Sequence, residues 1–517
     1  MIKFKIQNLI LPLILLVSAF LRLYRIGDYM TFLGDEGRDA LIVYNILHGK
    51  LTLLGPTASV GGFFLGPIYY YFMAVFTLLF NYNPIGPSIM VALFGIATVW
   101  LIYKVCKEFF NYKVGLVASF LYAISPIVIS YSRSSWNPNP LPFFALLSLY
   151  VLYKAVKKNK WFLFVINGLI LGIAVQLHYL TLFLIVIVLA YVLFARFFVL
   201  KKTFNKNLLR TLENYLFIIV GFVIGWLPFL AFEVRHGFPN IISIFNFIFS
   251  SGKTGAGASF FSNIYDVFFR IFGRFLFSFP PIEQLTNYNK NLLSFWQAVI
   301  LIFALFSVYI LTKKIWENKK DKEELLKYGL IAIWFFIGII LFGFYKKSIY
   351  EYYFGFMFPL PFILIAISLV SLSKVKFGKI ISLVIFVGII LINIQGVPFR
   401  YIPNRQLNQA ETIAQFVLDK SDNKPFNFAL ITGGNSDYAY RYFFTIWNHP
   451  PVTIEQPAND PQRRTVTGQL LVVCESLPCE PLGNSLWEIA GFGRAEIAGS
   501  WDVSVVKVYR LVPYSEK

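Results

Sequence analysis

Apolar segments long enough to cross a membrane recur through the first 396 residues of this chain. A helix needs about 20 mainly apolar residues to cross the ~30 Å hydrocarbon core of a bilayer. Only 14% of the 517 residues are charged, whereas a soluble globular protein carries about 25%. These features exclude a soluble enzyme and a disordered chain, and they predict a polytopic membrane protein.

We predict eleven membrane-spanning helices from these segments. Lysine-rich connectors alternate with lysine-poor ones between them, and the positive-inside rule assigns the lysine-rich set to the cytoplasm. The N-terminus is then cytoplasmic, and the tail from residue 397 lies outside the cell membrane. The predicted spans are 6–23, 85–103, 114–130, 140–156, 161–177, 180–199, 214–232, 292–312, 328–345, 353–373 and 379–396.

The apolar segment Phe63–Phe80 fits this arrangement only if it does not cross the membrane. Gly61, Gly62 and Gly66 interrupt its start, and the tyrosines at 69–71 suit a membrane interface. We therefore interpret this segment as a helix that lies at, or partly enters, the outer face of the membrane.

Charge divides the chain into two parts. Residues 1–396 contain 35 Lys and Arg against 14 Asp and Glu, whereas residues 397–517 contain 11 against 12. The formal net charge of +20 therefore arises between membrane segments and does not indicate a nucleic-acid partner. We predict an all-α polytopic transmembrane domain over 1–396 and a small extracytoplasmic α/β domain over 397–517.

The tail contains short segments typical of such an α/β domain. Its two cysteines, Cys474 and Cys479, could pair if the tail lies in an oxidising compartment. We predict a helix over Arg405–Lys420 and strands over Asn427–Ile431, Gln469–Val473 and Val503–Leu511.

The first predicted outer connector carries adjacent carboxylates at Asp35 and Glu36. Such a couplet can act as a general base or bind a divalent cation. Alternatively, Asp35 caps a helix over Glu36–Leu47, with Glu36 and Asp39 stabilised in its first turn. The spacing alone leaves both interpretations open.

The other outer connectors hold polar side chains suited to a phosphate or a sugar, because guanidinium groups match phosphate geometry and amides match hydroxyls. Each also has a structural alternative, as a turn residue or an interfacial side chain. The Phe-rich segment Phe260–Phe279, with Arg270 and Arg274, is interpreted as an interfacial helix. The candidate binding residues are Arg38, Arg133, Asn137, Asn139, His178, Glu233, Arg235, His236, Lys346, Lys347 and Tyr350.

The order of these features resembles the GT-C fold membrane glycosyltransferases. The most similar group is that of the protein O-mannosyltransferases and aminoarabinose transferases, family 39 and its bacterial relatives, over roughly residues 1–400. The residues that carry the resemblance are Asp35-Glu36-Gly37-Arg38-Asp39-Ala40-Leu41, Gly66-Pro67-Ile68-Tyr69-Tyr70, Ala123-Ile124-Ser125-Pro126, Tyr131-Ser132-Arg133 and Phe232–Pro239.

The resemblance implies inverting transfer of a sugar from a polyprenyl-phosphate donor to an acceptor at the extracytoplasmic face. It implies that Asp35 activates the acceptor as general base and that Glu36 supports it or helps to hold a metal or the acceptor. The family often has an Asp after the third span, where this chain has Asn137 and Asn139. That departure weakens a metal-bridged mechanism, and a requirement for Mg²⁺ or Mn²⁺ stays open.

Two other function classes compete with this interpretation. A transporter or flippase of lipid-linked saccharides predicts charges within the spans and an internal repeat, and neither is visible in the sequence. A non-catalytic membrane scaffold that presents the tail predicts no dependence on the acidic couplet. The sugar is not indicated, and the acceptor could be a lipid, a glycan or a protein. Cations at Arg133, Arg235, Lys346 and Lys347 would stabilise the leaving phosphate.

Overall fold

The computed structural model describes residues 7–58, 61–201, 203–250, 259–476 and 478–515, and it divides into two compact units. The membrane unit comprises residues up to Tyr24, Thr52–Tyr69 and Ile89–Tyr401. The tail unit comprises Arg25–Leu51, Tyr70–Ser88 and the chain from Ile402.

The chain before the tail is helical through nearly all of its described length. Short 3₁₀ or π turns lie at Ala195–Val199, Ile282–Asn287, Glu351–Met357 and Pro398–Arg400. The α-helices are α1 (Gln7–Leu23), α2 (Ile26–Tyr29), α3 (Gly34–Leu47), α4 (Ile68–Leu79), α5 (Ile85–Phe109), α6 (Tyr112–Ile124), α7 (Pro126–Tyr131), α8 (Leu141–Lys158), α9 (Trp161–Leu177), α10 (Thr181–Phe194), α11 (Phe204–Gly225), α12 (Leu227–His236), α13 (Pro239–Ser250), α14 (Phe260–Leu276), α15 (Lys290–Glu317), α16 (Lys322–Gly343), α17 (Leu360–Leu372) and α18 (Gly378–Gln395).

Several of these helices are long and apolar enough to cross a membrane. Within the described ranges six pass this test: α5, α11, α15, α16, α18 and the continuous stretch Thr181–Val199. Glu351–Met357 and α17, bent by 60°, form a seventh candidate, and α4, α6, α9 and Leu9–Leu23 are shorter apolar helices. The predicted polytopic helical fold is confirmed, whereas the number of eleven spans stays a prediction.

The Phe63–Phe80 segment forms a short helix preceded by irregular chain. Helix α4 has 12 residues, which span about 18 Å, less than the hydrocarbon thickness of a bilayer. Before it, Thr57 and Phe64 form an isolated antiparallel bridge. Our interpretation that this segment does not cross the membrane stays a prediction.

Helices α9 and α11 of the membrane unit pack with their backbones in close contact. A Cβ atom added to Gly168 would lie 1.9 Å from the carbonyl oxygen of Ile218, and one added to Gly221 would lie 1.9 Å from that of Val165. Small residues four apart permit such approach between membrane helices. The Gly-x-x-x-Gly spacing is present in both helices, and our sequence-based prediction did not use it.

We expect Gly221→Val to destabilise the membrane unit by about 1–3 kcal/mol or more, because the new side chain meets fixed backbone. Gly388→Val in α18 is the matched control, since a Cβ there meets nothing within 4 Å. Thermal unfolding of the purified protein in detergent should show a lower Tm for the first variant only. Equal Tm values would contradict the close packing of α9 on α11.

Three of the connectors that we predicted to be cytoplasmic lie close together in the membrane unit. Lys157 Nζ lies 2.6 Å from Glu323 Oε1, and Arg196 donates to Asn159 Oδ1 at 2.7 Å. Such contacts join the connector after α8 to those around α10 and α16. The alternation of all the connectors between two faces of a membrane, which the lysine pattern indicates, stays a prediction.

The tail forms a four-stranded sheet with helices. In the sheet order β1-β2-β4-β3, β1 and β2 are parallel and the other pairs antiparallel. A disulfide joins Cys474 at the end of β2 to Cys479. The elements are α19 (Gln406–Lys420), β1 (Asn427–Ile431), α20 (Tyr438–Ile446), β2 (Leu470–Cys474), α21 (Trp487–Ala490), β3 (Ala495–Val503) and β4 (Val506–Pro513).

The core of the tail unit contains residues from the start of the chain. Met30, Phe32 and Ala40 are buried in one cluster with side chains of α19, α20 and the sheet. Helix α3 lies on α20, where a Cβ added to Gly37 would be 2.3 Å from the amide nitrogen of Ala439. This unit therefore differs from the single range 397–517 that we predicted, because the small residues of α3 let it join the tail.

Candidate active site

The acidic couplet lies in the first turn of α3, in the tail unit. Glu36 Oε2 accepts a hydrogen bond from the Leu33 amide at 3.1 Å, and burial raises the pKa of its carboxyl. The Asp35 side chain is 64% exposed and pairs with Arg38 Nη1 at 2.8 Å. The capping role that we considered for Asp35 therefore belongs to Glu36, and Asp35 is the accessible carboxylate.

Arg38 links Asp35 to a buried carboxylate that sequence reasoning did not select. Its Nη2 and Nε lie 2.8 and 3.0 Å from Asp39 Oδ1, which also accepts from the Tyr70 hydroxyl at 3.2 Å. Asp39 is 1% exposed. Burial raises the pKa of the Asp39 carboxyl to about 7, and the Arg38 guanidinium opposes this shift. Arg38 thus orients Asp35 within a fixed ion-pair network.

The two carboxylates of the couplet do not form a metal donor set. Asp35 faces Arg38, and Glu36 faces the Leu33 amide. Within the described ranges, no three His, Cys, Asp or Glu side chains are grouped closely enough to hold an ion. These contacts do not fit the divalent cation that the resemblance allows, and no step is derived through one.

The predicted outer connectors of the membrane unit converge on a group of rings, here called the aromatic cluster. The hydroxyls of Tyr179 and Tyr345 are 2.7 Å apart. The ring centroids of His178 and Tyr353 are 5.2 Å apart. Three connectors that are distant in sequence therefore meet in one place. The cluster consists of Trp136, His178, Tyr179, Tyr345, Tyr352 and Tyr353.

His178 presents an unused hydrogen-bonding atom inside this cluster. The side chain is 3% exposed, and Nδ1 accepts from the Leu180 amide at 3.3 Å. Nε2, which then carries the proton, has no hydrogen-bond partner within the described part of the chain. Burial lowers the pKa of His178 to about 3. His178 is therefore a neutral donor at physiological pH and not an acid–base group.

We expect this burial to make the protein acid-sensitive. Between pH 6.5 and about 3 the unfolded imidazole binds a proton that the folded one does not. The contribution of His178 to the free energy of unfolding is therefore fully present above pH 6.5. This free energy falls as the pH drops, by up to about 1.4 kcal/mol per pH unit. His178→Phe should reduce the loss of Tm between pH 7 and pH 5, whereas His236→Phe, at an exposed position, should not. If Tm depends on pH in His178→Phe as it does in wild type, burial of His178 is not the cause of the acid sensitivity.

An apolar cavity of about 200 Å³ adjoins the aromatic cluster, with Tyr179 part of both. Its walls come from the segment before α4 and from α9 to α13. The cavity has almost no polar lining, as suits a hydrocarbon chain. It is lined by Phe64, Leu65, Gly66, Val175, Tyr179, Leu182, Trp226, Phe229, Ile241 and Ile244.

Three cations that we predicted to bind substrate lie in the same unit, Arg235 in the last turn of α12 and Lys346 and Lys347 in the connector after α16. Lys347 Nζ lies 5.1 Å from the ring centroid of Phe247, which brings the connector after α16 to α13. Arg235 and Lys346 are exposed. Tyr350 is 51% exposed and stacks on Tyr352 with centroids 5.8 Å apart. These side chains remain candidates for substrate binding.

Two neighbours of Arg235 have contacts that explain them structurally. Glu233 is fully buried, and its carboxylate accepts from Asn240 Nδ2 at 2.7 Å and from the Ile241 amide at 3.0 Å. It therefore caps the first turn of α13. His236 stacks on Phe232, with its Nδ1 2.9 Å from the Phe232 carbonyl oxygen. Neither contact supports the substrate-binding roles that we predicted.

Arg133 is likewise a structural residue. It is 2% exposed and donates to the carbonyl oxygens of Leu21 at 2.9 Å and Tyr24 at 2.7 Å. A cation at the carboxyl end of a helix satisfies terminal carbonyls. The prediction of a phosphate ligand at Arg133 is corrected to a cap on α1.

The two asparagines after α7 also stabilise their own surroundings. Asn137 Nδ2 donates to the Leu177 carbonyl at 2.7 Å, and Asn139 Nδ2 donates to the Ser134 carbonyl at 2.8 Å. Asn137 thereby fixes the end of α9 beside His178. These hydrogen bonds give both amides a structural role beside the aromatic cluster. They do not support the sugar contacts that we predicted for the two residues.

The structure contains one ion-pair network that we did not predict from the sequence. Glu351 Oε1 lies 3.0 Å from Arg270 Nη2 and 3.2 Å from Arg274 Nε, and Arg270 also pairs with Asp266 at 3.0 Å. We had treated α14 as an interfacial helix. The sequence feature that could have predicted this network is the pair of arginines four residues apart in a Phe-rich helix, because such residues align on one face.

Comparison with known proteins supports the resemblance drawn from the sequence. Residues 65–230 match the family model described as dolichyl-phosphate-mannose-protein mannosyltransferase. The chain is 28% identical over 156 residues to YkcB of Bacillus subtilis strain 168, provisionally named a mannosyltransferase. That match covers 30% of this chain and only 21% of YkcB.

Solved structures share the fold over nearly the whole chain. ArnT from Cupriavidus metallidurans, solved with undecaprenyl phosphate, has a TM-score of 0.61 at 13% identity and covers 97% of both chains. The oligosaccharyltransferase AglB from Archaeoglobus fulgidus, solved with an inhibitory peptide and a dolichol phosphate, has a TM-score of 0.52 at 15% identity. It covers 90% of this chain and 69% of its own. The predicted GT-C fold is therefore confirmed.

Proposed function

We propose that this GT-C chain is a membrane glycosyltransferase that moves a sugar, with inversion, from a polyprenyl-phosphate donor to an acceptor outside the cytoplasm. The match to a mannosyltransferase family model supports this class of reaction, and it makes mannose the first sugar to test. The related structures with bound polyprenyl or dolichol phosphate support the donor class.

One observation carries the proposal: an apolar cavity adjoins a cluster of polar aromatic side chains in the membrane unit. A polyprenyl-phosphate sugar has the same division, with a hydrocarbon chain beside a polar head. The cavity suits the first isoprene units. The Nε2–H of His178, which has no partner among the described residues, suits a phosphate or sugar oxygen, because a buried donor without a partner costs free energy.

Two features support a location of the tail outside the cell. Its Cys474–Cys479 disulfide persists in oxidising compartments and not in a reducing cytoplasm. The lysine-rich connectors favour the cytoplasm for the opposite ends of the spans. The proposed reaction therefore takes place at the extracytoplasmic face.

The proposed chemistry is a single displacement. Asp35 takes the proton of the acceptor hydroxyl, the acceptor oxygen bonds to the anomeric carbon, and the bond from that carbon to the phosphate oxygen breaks. The polyprenyl phosphate leaves with its electron pair and added negative charge. Arg235, Lys346 and Lys347 stabilise that charge. Arg38 orients the Asp35 carboxylate through an ion pair at 2.8 Å.

The test is transfer of radiolabel from polyprenyl-phosphate mannose in membrane vesicles that contain the native acceptors. Label in an acceptor fraction supports the proposal, and the assay is repeated with other polyprenyl-phosphate sugars. Movement of intact donor between leaflets would favour a flippase. The absence of both transfer and movement would favour a scaffold. The flippase result or the scaffold result, obtained with every polyprenyl-phosphate sugar tested, would overturn the proposal.

Sidedness is tested separately by cysteine labelling. The only free cysteine in the described part of the chain, Cys106, is buried, so introduced thiols report cleanly. Asp35→Cys and Lys346→Cys should both react with an impermeant maleimide from outside intact cells. Lys157→Cys should react only after permeabilisation. Labelling of Asp35→Cys and Lys346→Cys from opposite faces would contradict the proposal.

A further inference from the structure

We propose that the tail positions the acidic helix α3 for catalysis through a relay of two side chains, Glu475 and Asn435. The inference rests on the proposed function, because it assigns the catalytic carboxylate to α3. It gives the tail a role in the reaction that neither the family model, which covers residues 65–230, nor the sequence assigned to it.

The relay ends on the backbone directly before the couplet. Asn435 Oδ1 accepts from the Gly34 amide at 2.9 Å, and Asp35 is the next residue. A Cβ added to Gly34 would lie 2.0 Å from Ser436 Oγ and 2.9 Å from the Ser436 amide nitrogen. The first turn of α3 is therefore held against the loop that follows β1, and Gly34 is needed for that approach.

Glu475 fixes which way the Asn435 amide faces. Asn435 Nδ2 lies 3.1 and 3.2 Å from the two carboxylate oxygens of Glu475. Since a carboxylate accepts and cannot donate, the amide nitrogen must face Glu475 and the amide oxygen must face Gly34. Tyr440 and Thr432 hydroxyls, each donating at 2.8 Å, complete the bonding of Glu475.

The position of Glu475 is itself set by the fold of the tail. It directly follows β2, and its amide donates to the Ile431 carbonyl at the end of β1. The disulfide begins at the residue before it, Cys474. The relay thus connects the carboxyl edge of a parallel strand pair to the first turn of α3 by short hydrogen bonds.

The test exchanges the positions of the amide and carboxylate groups in the relay. Asn435→Asp puts a second carboxylate against Glu475, and we expect kcat to fall about 10- to 100-fold with donor KM unchanged, because a small displacement of a catalytic group is costly. The defect should ease at lower pH, where one of the two carboxyls binds a proton. Glu475→Gln in the same chain restores an amide–carboxylate pair with reversed direction, and we expect kcat to return to within about threefold of wild type.

Two further measurements separate the relay from its alternatives. Glu496→Gln, an exposed carboxylate on β3, is the control and should leave kcat unchanged. Hydrogen exchange of the amides at 33–38 needs no substrate and should show protection in wild type, loss in Asn435→Asp and recovery in the double variant.

The outcomes distinguish this inference from the proposed function. Wild-type kcat in Asn435→Asp, or a double variant no better than the single one, would overturn the relay while transfer itself stands. If wild type transfers no sugar, the proposed function fails, and unchanged exchange at 33–38 in Asn435→Asp would overturn the relay independently.

Discussion

Asp35→Asn is expected to lower sugar transfer by about 10²–10⁴, the usual contribution of a general base. The amide keeps the shape of the side chain but cannot take the acceptor proton. The side chain is 64% exposed and has a surface ion pair with Arg38, so its loss should cost little stability. Transfer of label from polyprenyl-phosphate mannose and a thermal unfolding curve measure the two effects.

Asp28→Asn is the matched control for this substitution. Asp28 lies in the same unit, pairs with Arg25 at 2.6 Å and is 37% exposed, yet it has no proposed role. Its transfer rate should equal that of wild type. A transfer rate of Asp35→Asn within threefold of this control would exclude Asp35 as the base.

Neutralising Arg235, Lys346 and Lys347 together by replacement with Gln is expected to lower kcat by about 10²–10³. Loss of a single group that stabilises transition-state charge has effects of this size in other enzymes. Binding of the donor should weaken less than kcat falls, because the leaving phosphate gains charge only as the bond breaks. A fit of rate against donor concentration separates the two quantities.

A charge-matched control uses three lysines from a predicted cytoplasmic connector. Replacing Lys374, Lys376 and Lys379 by Gln removes the same net charge at the start of α18, and we expect no change in kcat. Equal loss in both triple variants would mean that net charge, and not the proposed phosphate contacts, governs the rate.

The sequence was sufficient to predict a polytopic helical fold, because hydrocarbon imposes a simple length rule. It was also sufficient for β1, whose predicted and observed bounds agree. The predicted strand Val503–Leu511 was wrong in extent, because β3 ends at Val503 and β4 begins at Val506. The chain reverses at Ser504, which has a φ of +52°, and Ser-Val lacks the Asn-Gly signal of such hairpins.

The candidate site was predictable only in its local part. The couplet was expected at the start of a helix, and α3 does begin beside it. Its partners were not predictable, because Asn435 contacts Gly34 from 401 positions away. Arg133 was misassigned for the same reason, since its acceptor carbonyls lie at and just beyond the end of α1, more than 100 residues earlier. Spacing reports neighbours along the chain, whereas these roles depend on neighbours in space.

The burial of Met30, Phe32 and Ala40 among residues beyond 406 has a consequence for biosynthesis. During translation, α3 emerges early, while the strands and helices that cover it are made much later. Until they are made, α3 lacks the surface on which it packs. Because domains fold as their sequence becomes complete, the tail unit can close around α3 only after the chain from α19 to β4 has been synthesised.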